Sequence, residues 1–227
     1  MHRAVQTIRR IARHEIDQRP GVGLGVVKSV HGNDGVEKRY ACTVVLRDTG
    51  LVLPKVPIAT GLIGTAALPR ENDLVVVLFV GGDLHGPVVI GRLFSDNVAP
   101  PEHGPGELVT VLPGDELAPE KRIELRVAAP GDGSRALRLT LEGPVKVELE
   151  VDNDGVRVRA QDALLRLTQT GASDGRAELS VGGSKITLTQ DGDVTIEASG
   201  TLTLKGAKVN ISGDASVKVA GTSIDLN

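Results

Sequence analysis

Residues 184–227 read SKITLTQDGDVTIEASGTLTLKGAKVNISGDASVKVAGTSIDLN. Apolar side chains recur at every second position in short units: Ile186 with Leu188, Val194 with Ile196, Leu202 with Leu204, Val209 with Ile211, Val217 with Val219, and Ile224 with Leu226. The alternate positions are Thr, Lys, Glu, Asn, Ser or Asp, so each unit has one apolar and one polar row. Gly192, Gly200, Gly206, Gly213 and Gly221 fall six to eight residues apart and redirect the chain between units. A ribbon built this way has two open edges and too little apolar area to fold alone. Two arrangements satisfy it. A single-chain solenoid stacks full coils of about 18–25 residues. An intertwined trimer needs only one short strand per chain in each layer, around a shared threefold core.

Aromatic content bears on that choice. The 227-residue chain holds two Phe, one Tyr and no Trp. Tyr40, Phe79 and Phe94 all lie in its first 94 residues. Aromatic side chains anchor wide cores, so an aromatic-free segment of Val, Ile, Leu, Thr and Ala fits a thin cross-section. Together with the irregular glycine spacing this favours the trimer. The twelve apolar residues paired above are then the expected trimer core. The same parity begins upstream, in Leu137, Leu139 and Leu141 and in Val145, Val147, Leu149 and Val151, before a turn at Asn153-Asp154-Gly155. Residues 132–227 are accordingly assigned to the trimeric β-helix stalk, a triangular β-prism.

The first half reads differently. Residues 1–21 carry Val5, Ile8, Ile11 and Ala12 on one face and Arg3, Arg9, Arg10 and Arg13 on the other, an amphipathic helix ended by Pro20-Gly21. Residues 22–96 hold VGLGVVKSV, KRYACTVVLRD, VPIAT, LVVVLFV and PVVIGRL, β-branched runs separated by HGNDG, RDTG, LPREND and GGDLHG. Five or six strands in that length predict a small closed barrel such as an OB-fold. The first two runs form a hairpin across residues 31–35, and Phe79 anchors the core. NVAPPEHGPG, residues 97–106, is a linker, and residues 97–131 as a whole read as linker and transition strands.

Several functions find no support. The formal net charge of −3 lacks the cationic surplus that phosphate recognition needs, so no nucleic-acid partner is expected. The N-terminus has no apolar leader, which reads as synthesis in the cytoplasm without a signal peptide. Cys42, the one cysteine, is expected to be a small core residue. Asp132, Asp152, Asp154, Asp174, Asp191 and Asp193 superficially resemble a carboxylate array, but their Gly and Asn neighbours mark turns. The five histidines (2, 14, 31, 85 and 103) precede the stalk with no ligand spacing, and Gly21-x-Gly23-x-Gly25 opens no helix. No catalytic, cofactor or metal residues are assigned, and no cofactor is expected. Two alternatives remain: a single-chain β-solenoid that binds or cleaves carbohydrate, and an OB module for oligonucleotides or sugars, although the aromatic platform of single-strand sites is missing.

The order of helix, small barrel, Pro/Gly linker and Gly-punctuated β-helix resembles the central spike proteins of contractile injection systems. These are the baseplate assembly protein V of contractile-tailed phages and the spike portion of VgrG proteins in type VI secretion. The most telling stretch is LPRENDLVVVLFVGGDLHGPVVIGRLFSDNVAPP, residues 68–101. Leu68-Pro69, Asp73, Phe79, Gly81, Asp83, Pro87, Val88, Ile90, Gly91 and Leu93 are similar to the family's barrel signature. The resemblance implies a non-enzymatic homotrimer that pierces a target membrane from the baseplate of a phage tail or injection particle. No hub domain precedes the barrel, so a separate hub or tube protein is implied at the N-terminal end. The stalk lacks a His-x-His tip, so a PAAR-type tip protein is implied at the C-terminal end, on Thr222, Ser223, Asp225 and Asn227.

Overall fold

The computed structural model describes residues 21–33, 38–96, 98–114, 116 and 118–225. The amphipathic segment at residues 1–20 lies outside the described residues. The described chain is all-β, with only two short 3-10 turns, Val80–Gly82 and Pro119–Lys121. It divides into two compact units, Met1–Pro100 and Pro101–Asn227.

The first unit contains β1 (Val22–Asn33), β2 (Lys38–Leu46), β3 (Val52–Pro57), β4 (Leu74–Phe79) and β5 (Pro87–Leu93). Hydrogen bonding orders them β3-β2-β1-β4-β5, with antiparallel neighbours. A parallel bridge between Ile58 and Val89 brings the two outer strands together, and the Ala59 N–H donates to the Val89 carbonyl at 2.8 Å. The circuit 1-2-3-5-4-1 closes a five-stranded barrel, the arrangement of an OB-fold. Strict alternation in β4 sends Val75, Val77 and Phe79 inward, where they meet Val27, Val44 and Val56. Phe79 is the one aromatic in this core, and Cys42 is fully buried, both as the sequence predicts. Burial pushes the Cys42 thiol up to about 11, so it stays protonated and unreactive. Gly25 on β1 lets the strand approach β2, since a Cβ there would overlap the Val44 side chain.

The hairpin between β1 and β2 is present, but His31, Gly32 and Asn33 belong to β1, and Asn33 pairs with Lys38. β3 starts at Val52 rather than at the VPIAT run. Lys55 takes a positive φ of 53° and lets the strand continue past Pro54.

The second unit is a single sheet of nine strands, ordered by sequence as a meander. Its members are β6 (Glu107–Leu112), β7 (Ile123–Ala128), β8 (Ala136–Leu141), β9 (Val147–Asp152), β10 (Gly155–Ala160), β11 (Ala163–Thr168), β12 (Arg176–Val181), β13 (Ser184–Thr189) and β14 (Val194–Ala198). Every neighbouring pair is antiparallel and in regular register. The sheet therefore opens at Glu107, inside the segment read as transition strands, and not after Asp132. Over these nine strands the chain pairs with itself through hairpins, so the expected pattern of one short strand per chain per layer does not describe residues 107–198. The ladder runs out at Ser199, whose N–H donates to the Gly183 carbonyl at 3.1 Å. Residues 199–225 form no strand and are exposed throughout.

Candidate functional site: an apolar sheet face

The register of the nine strands sorts their side chains into two faces. Directly opposed residues share a face, so Leu125, Leu139, Leu149, Val158, Leu165, Leu179, Ile186 and Ile196 line up in one central row that starts at Thr110. Flanking rows run from Leu108 to Val194 and from Leu112 to Ala198, and across the whole face only Thr110 and Ser184 are polar. This row extends the predicted core upstream by seven strands. The alternating Leu137, Leu139 and Leu141 were the visible signal for it.

Within the second unit, no described residue packs over that face. No apolar side chain of the second unit counts among the buried residues described, and the buried ones are Thr140 and Thr187, both on the opposite face. Leu165 is 42% exposed, Leu179 47% and Ile196 49%. A sheet must cover its apolar face with another layer, and an uncovered patch of this extent marks an association surface.

The opposite face is charged and carries a series of ion pairs. Arg138 reaches Glu150 at 2.5 Å, and Arg157 bridges Asp152 at 2.5 Å and Glu150 at 3.4 Å. Lys146 pairs with Glu148 at 2.9 Å and Glu142 at 3.2 Å, while Glu178 takes Lys185 at 3.2 Å and Arg176 at 3.3 Å. The Lys146 bond lowers the pKa of Glu148, and the Lys185 bond lowers that of Glu178. These carboxylates are held ionised and paired, which is the opposite of what a general acid requires. A shallow depression of about 350 Å³ among Arg122, Glu124, Arg138, Lys146 and Glu148 is therefore a salt-bridged surface.

Asp132, Asp152 and Asp174 close turns with their side chains. Asp152 accepts the Asp154 and Gly155 N–H groups at 2.9 and 3.0 Å, and these bonds with Arg157 lower its pKa. Asp132 accepts from Ser134, and Asp174 from Thr170 and Gly171. Among the described residues no cluster of three or more His, Cys, Asp or Glu could hold a metal ion. His85 sits exposed beside Asp83 at 3.1 Å, and His103 contacts the Pro101 carbonyl at 2.9 Å.

Of the predicted trimer-core residues, Ile186, Leu188, Val194 and Ile196 fall on the apolar face. Leu202, Leu204, Val209, Ile211, Val217, Val219 and Ile224 are exposed in the segment after the last strand, as are Thr222, Ser223 and Asp225. Leu226 and Asn227 lie outside the described residues.

Barrel topology, the core anchored by Phe79 and the apolar sheet now stand together. Residues 25–94 match the family model for the type VI secretion system/phage-baseplate injector OB domain. The matched segment coincides with the closed barrel, ending one residue past β5. It supports a baseplate spike family and a structural part in a phage-tail or type VI apparatus. A search of curated proteins finds no match.

Proposed function

We propose that this protein is the central spike of a contractile injection system, a homotrimer whose three sheets bury their apolar faces against one another. The uncovered face of the nine-stranded sheet carries this reading. Six-residue strands are about 20 Å wide and nine of them stack to about 40 Å, so three such sheets close a narrow triangular prism with a dry interior. Closure covers the apolar rows and leaves the salt-bridged rows in water. In residues 199–225 the alternation continues without a partner strand in the same chain, and strands from two other copies satisfy it. There the winding is intertwined, with Leu202, Leu204, Val209, Ile211, Val217, Val219, Ile224 and Leu226 directed inward.

The barrel is the attachment end, set against a hub or tube protein. The C-terminal residues Thr222, Ser223, Asp225 and Asn227 form the seat of a PAAR-type tip protein. The chain is not catalytic: sheath contraction drives the trimer through a target membrane, and its contribution is stiffness. Electron microscopy of contractile particles assembled with an epitope-tagged chain tests the reading. Antibody label concentrated at the baseplate centre supports it, whereas label along the sheath, or particles that assemble normally without the chain, contradicts it.

A further inference from the structure

In the nine-stranded sheet, the residue that follows each strand decides how that strand's ladder ends. After β7, β8, β11 and β14 it is Ala129, Glu142, Gln169 and Ser199, and each donates its backbone N–H to the carbonyl just before the partner strand. After β9, β10 and β13 the same position holds a carboxamide whose side chain reaches further. Asn153 Oδ1 accepts from Arg135 Nε at 3.2 Å, and its Nδ2 donates to the Gly133 carbonyl at 2.8 Å. Gln190 Oε1 accepts the Gly175 N–H at 3.0 Å, and its Nε2 donates to the Ala172 carbonyl at 2.9 Å. Gln161 Nε2 donates to the Pro144 carbonyl at 3.1 Å. Each of these side chains ties its own turn to the turn that precedes the partner strand.

Gln161 shows that such a tie is more than local turn chemistry. It opens the two-residue loop between β10 and β11 with a φ of 50°. Loops of this length favour Gly or Asn where φ is positive, and glutamine carries strain there. Asn would relax the backbone, but its side chain is a methylene shorter. What glutamine adds is the reach to Pro144, in the turn before β9.

A pull on the C-terminal end of an antiparallel meander loads each ladder at one end, where its bonds break one after another. For β9, β10 and β13 that end is the C-terminal end of the strand, next to Asn153, Gln161 and Gln190. We propose that these three residues are carboxamide staples that set the sheet's resistance to unzipping from its C-terminal end. The inference rests on the spike reading for the source of the load, which falls on the tip end of the rod. Forced unfolding is governed by the barrier to opening. A staple that must break before its strand can peel therefore acts directly on the opening rate.

The test holds the full chain by its N-terminus and draws it out from its C-terminus in optical tweezers, after circular dichroism has compared each variant with the wild type. Gln190→Leu and Gln161→Asn are each expected to open the sheet at lower force, with an opening rate raised roughly five- to tenfold. Gln169→Leu is the control, an exposed carboxamide at the equivalent position that contributes its backbone N–H, and it is expected to keep the wild-type force. Gln161→Asn and Gln161→Gly both relax the positive φ, so a role confined to the turn predicts the wild-type force or a higher one. That result overturns the staples, as does an equal loss of force in Gln169→Leu. Wild-type forces in every variant, with antibody label at the baseplate centre, overturn the staples and leave the spike reading intact. Lowered forces with the label elsewhere keep the staples and remove the spike.

Discussion

Leu165 and Arg166 are neighbours on β11 that face opposite ways, so one strand supplies both a probe and its control. Leu165 lies in the central apolar row between Val158 and Leu179, and Arg166 lies between Arg157 and Glu178 on the charged face. Fully burying a leucine side chain contributes roughly 1.5–3 kcal/mol. The 42% of Leu165 still exposed in the single chain therefore holds about 1 kcal/mol per copy that assembly alone can realise. Replacing it by Asp forfeits that term and places three carboxylates inside the prism, each costing several kcal/mol even after relaxation. The sum is on the order of 10 kcal/mol per trimer, enough to abolish assembly at micromolar concentration. On an uncovered sheet the same Asp keeps its water and costs about 1 kcal/mol. Leu165→Asp is therefore expected to sediment as a monomer or aggregate, with Arg166→Gln retaining the wild-type mass and melting temperature. A Leu165→Asp chain with unchanged mass and melting temperature would show that this face stays in solvent, and the prism would be wrong.

Three further outcomes follow from the same geometry. Val209→Asp, in the segment beyond the last strand, is expected to fray the C-terminal end, seen as faster proteolysis after residue 199 with the sheet still protected; a wild-type proteolysis pattern would place Val209 outside the core. Gly155 has a φ of 152°, and a Cβ there would overlap the Leu167 carbonyl, so Gly155→Ala should separate β10 from β11 and lower thermal stability by a few kcal/mol. An unchanged unfolding curve would refute that close approach. Asp152, Glu148 and Glu178 all have lowered pKa values, so their contribution is complete above the ordinary carboxylate values of 3.8 and 4.5 and is lost as pH falls below them. Urea midpoints should hold steady down to about pH 5 and fall below pH 4, with Asp152→Asn showing a shallower acid limb; a midpoint independent of pH down to 3 would sink the assignment.

Much of the barrel was legible because its strands are β-branched runs bounded by Gly, Asp and Pro, and because Phe79 is the one aromatic within a central run. The β3 boundary was not, since Pro54 and Lys55 interrupt the alternation and the strand survives only through the positive φ at Lys55. The start of the sheet was obscured for a different reason. In β6, Leu108 and Leu112 share one face while Val109 and Val111 occupy the other, so apolar residues of both parities hide the period of two. The later strands alternate cleanly, and the parity of their apolar face was readable from Leu137 onward. What alternation alone could not distinguish is a strand that pairs within its own chain from one that needs another copy. β12 and β13 turn back on each other through Gly182 and Gly183, and the same local pattern after Ser199 meets no partner. The charged rows follow from cross-strand neighbours, which sequence spacing gives only once the hairpin turns are fixed.

The molar mass of the intact chain in dilute solution tests the central claim most directly. One copy weighs 23.7 kDa, and light scattering on the purified protein is predicted to return three times that value, independent of concentration through the micromolar range. A stable, folded species at the mass of a single chain would contradict the account, because the nine-stranded sheet would then be stable with its apolar face in water.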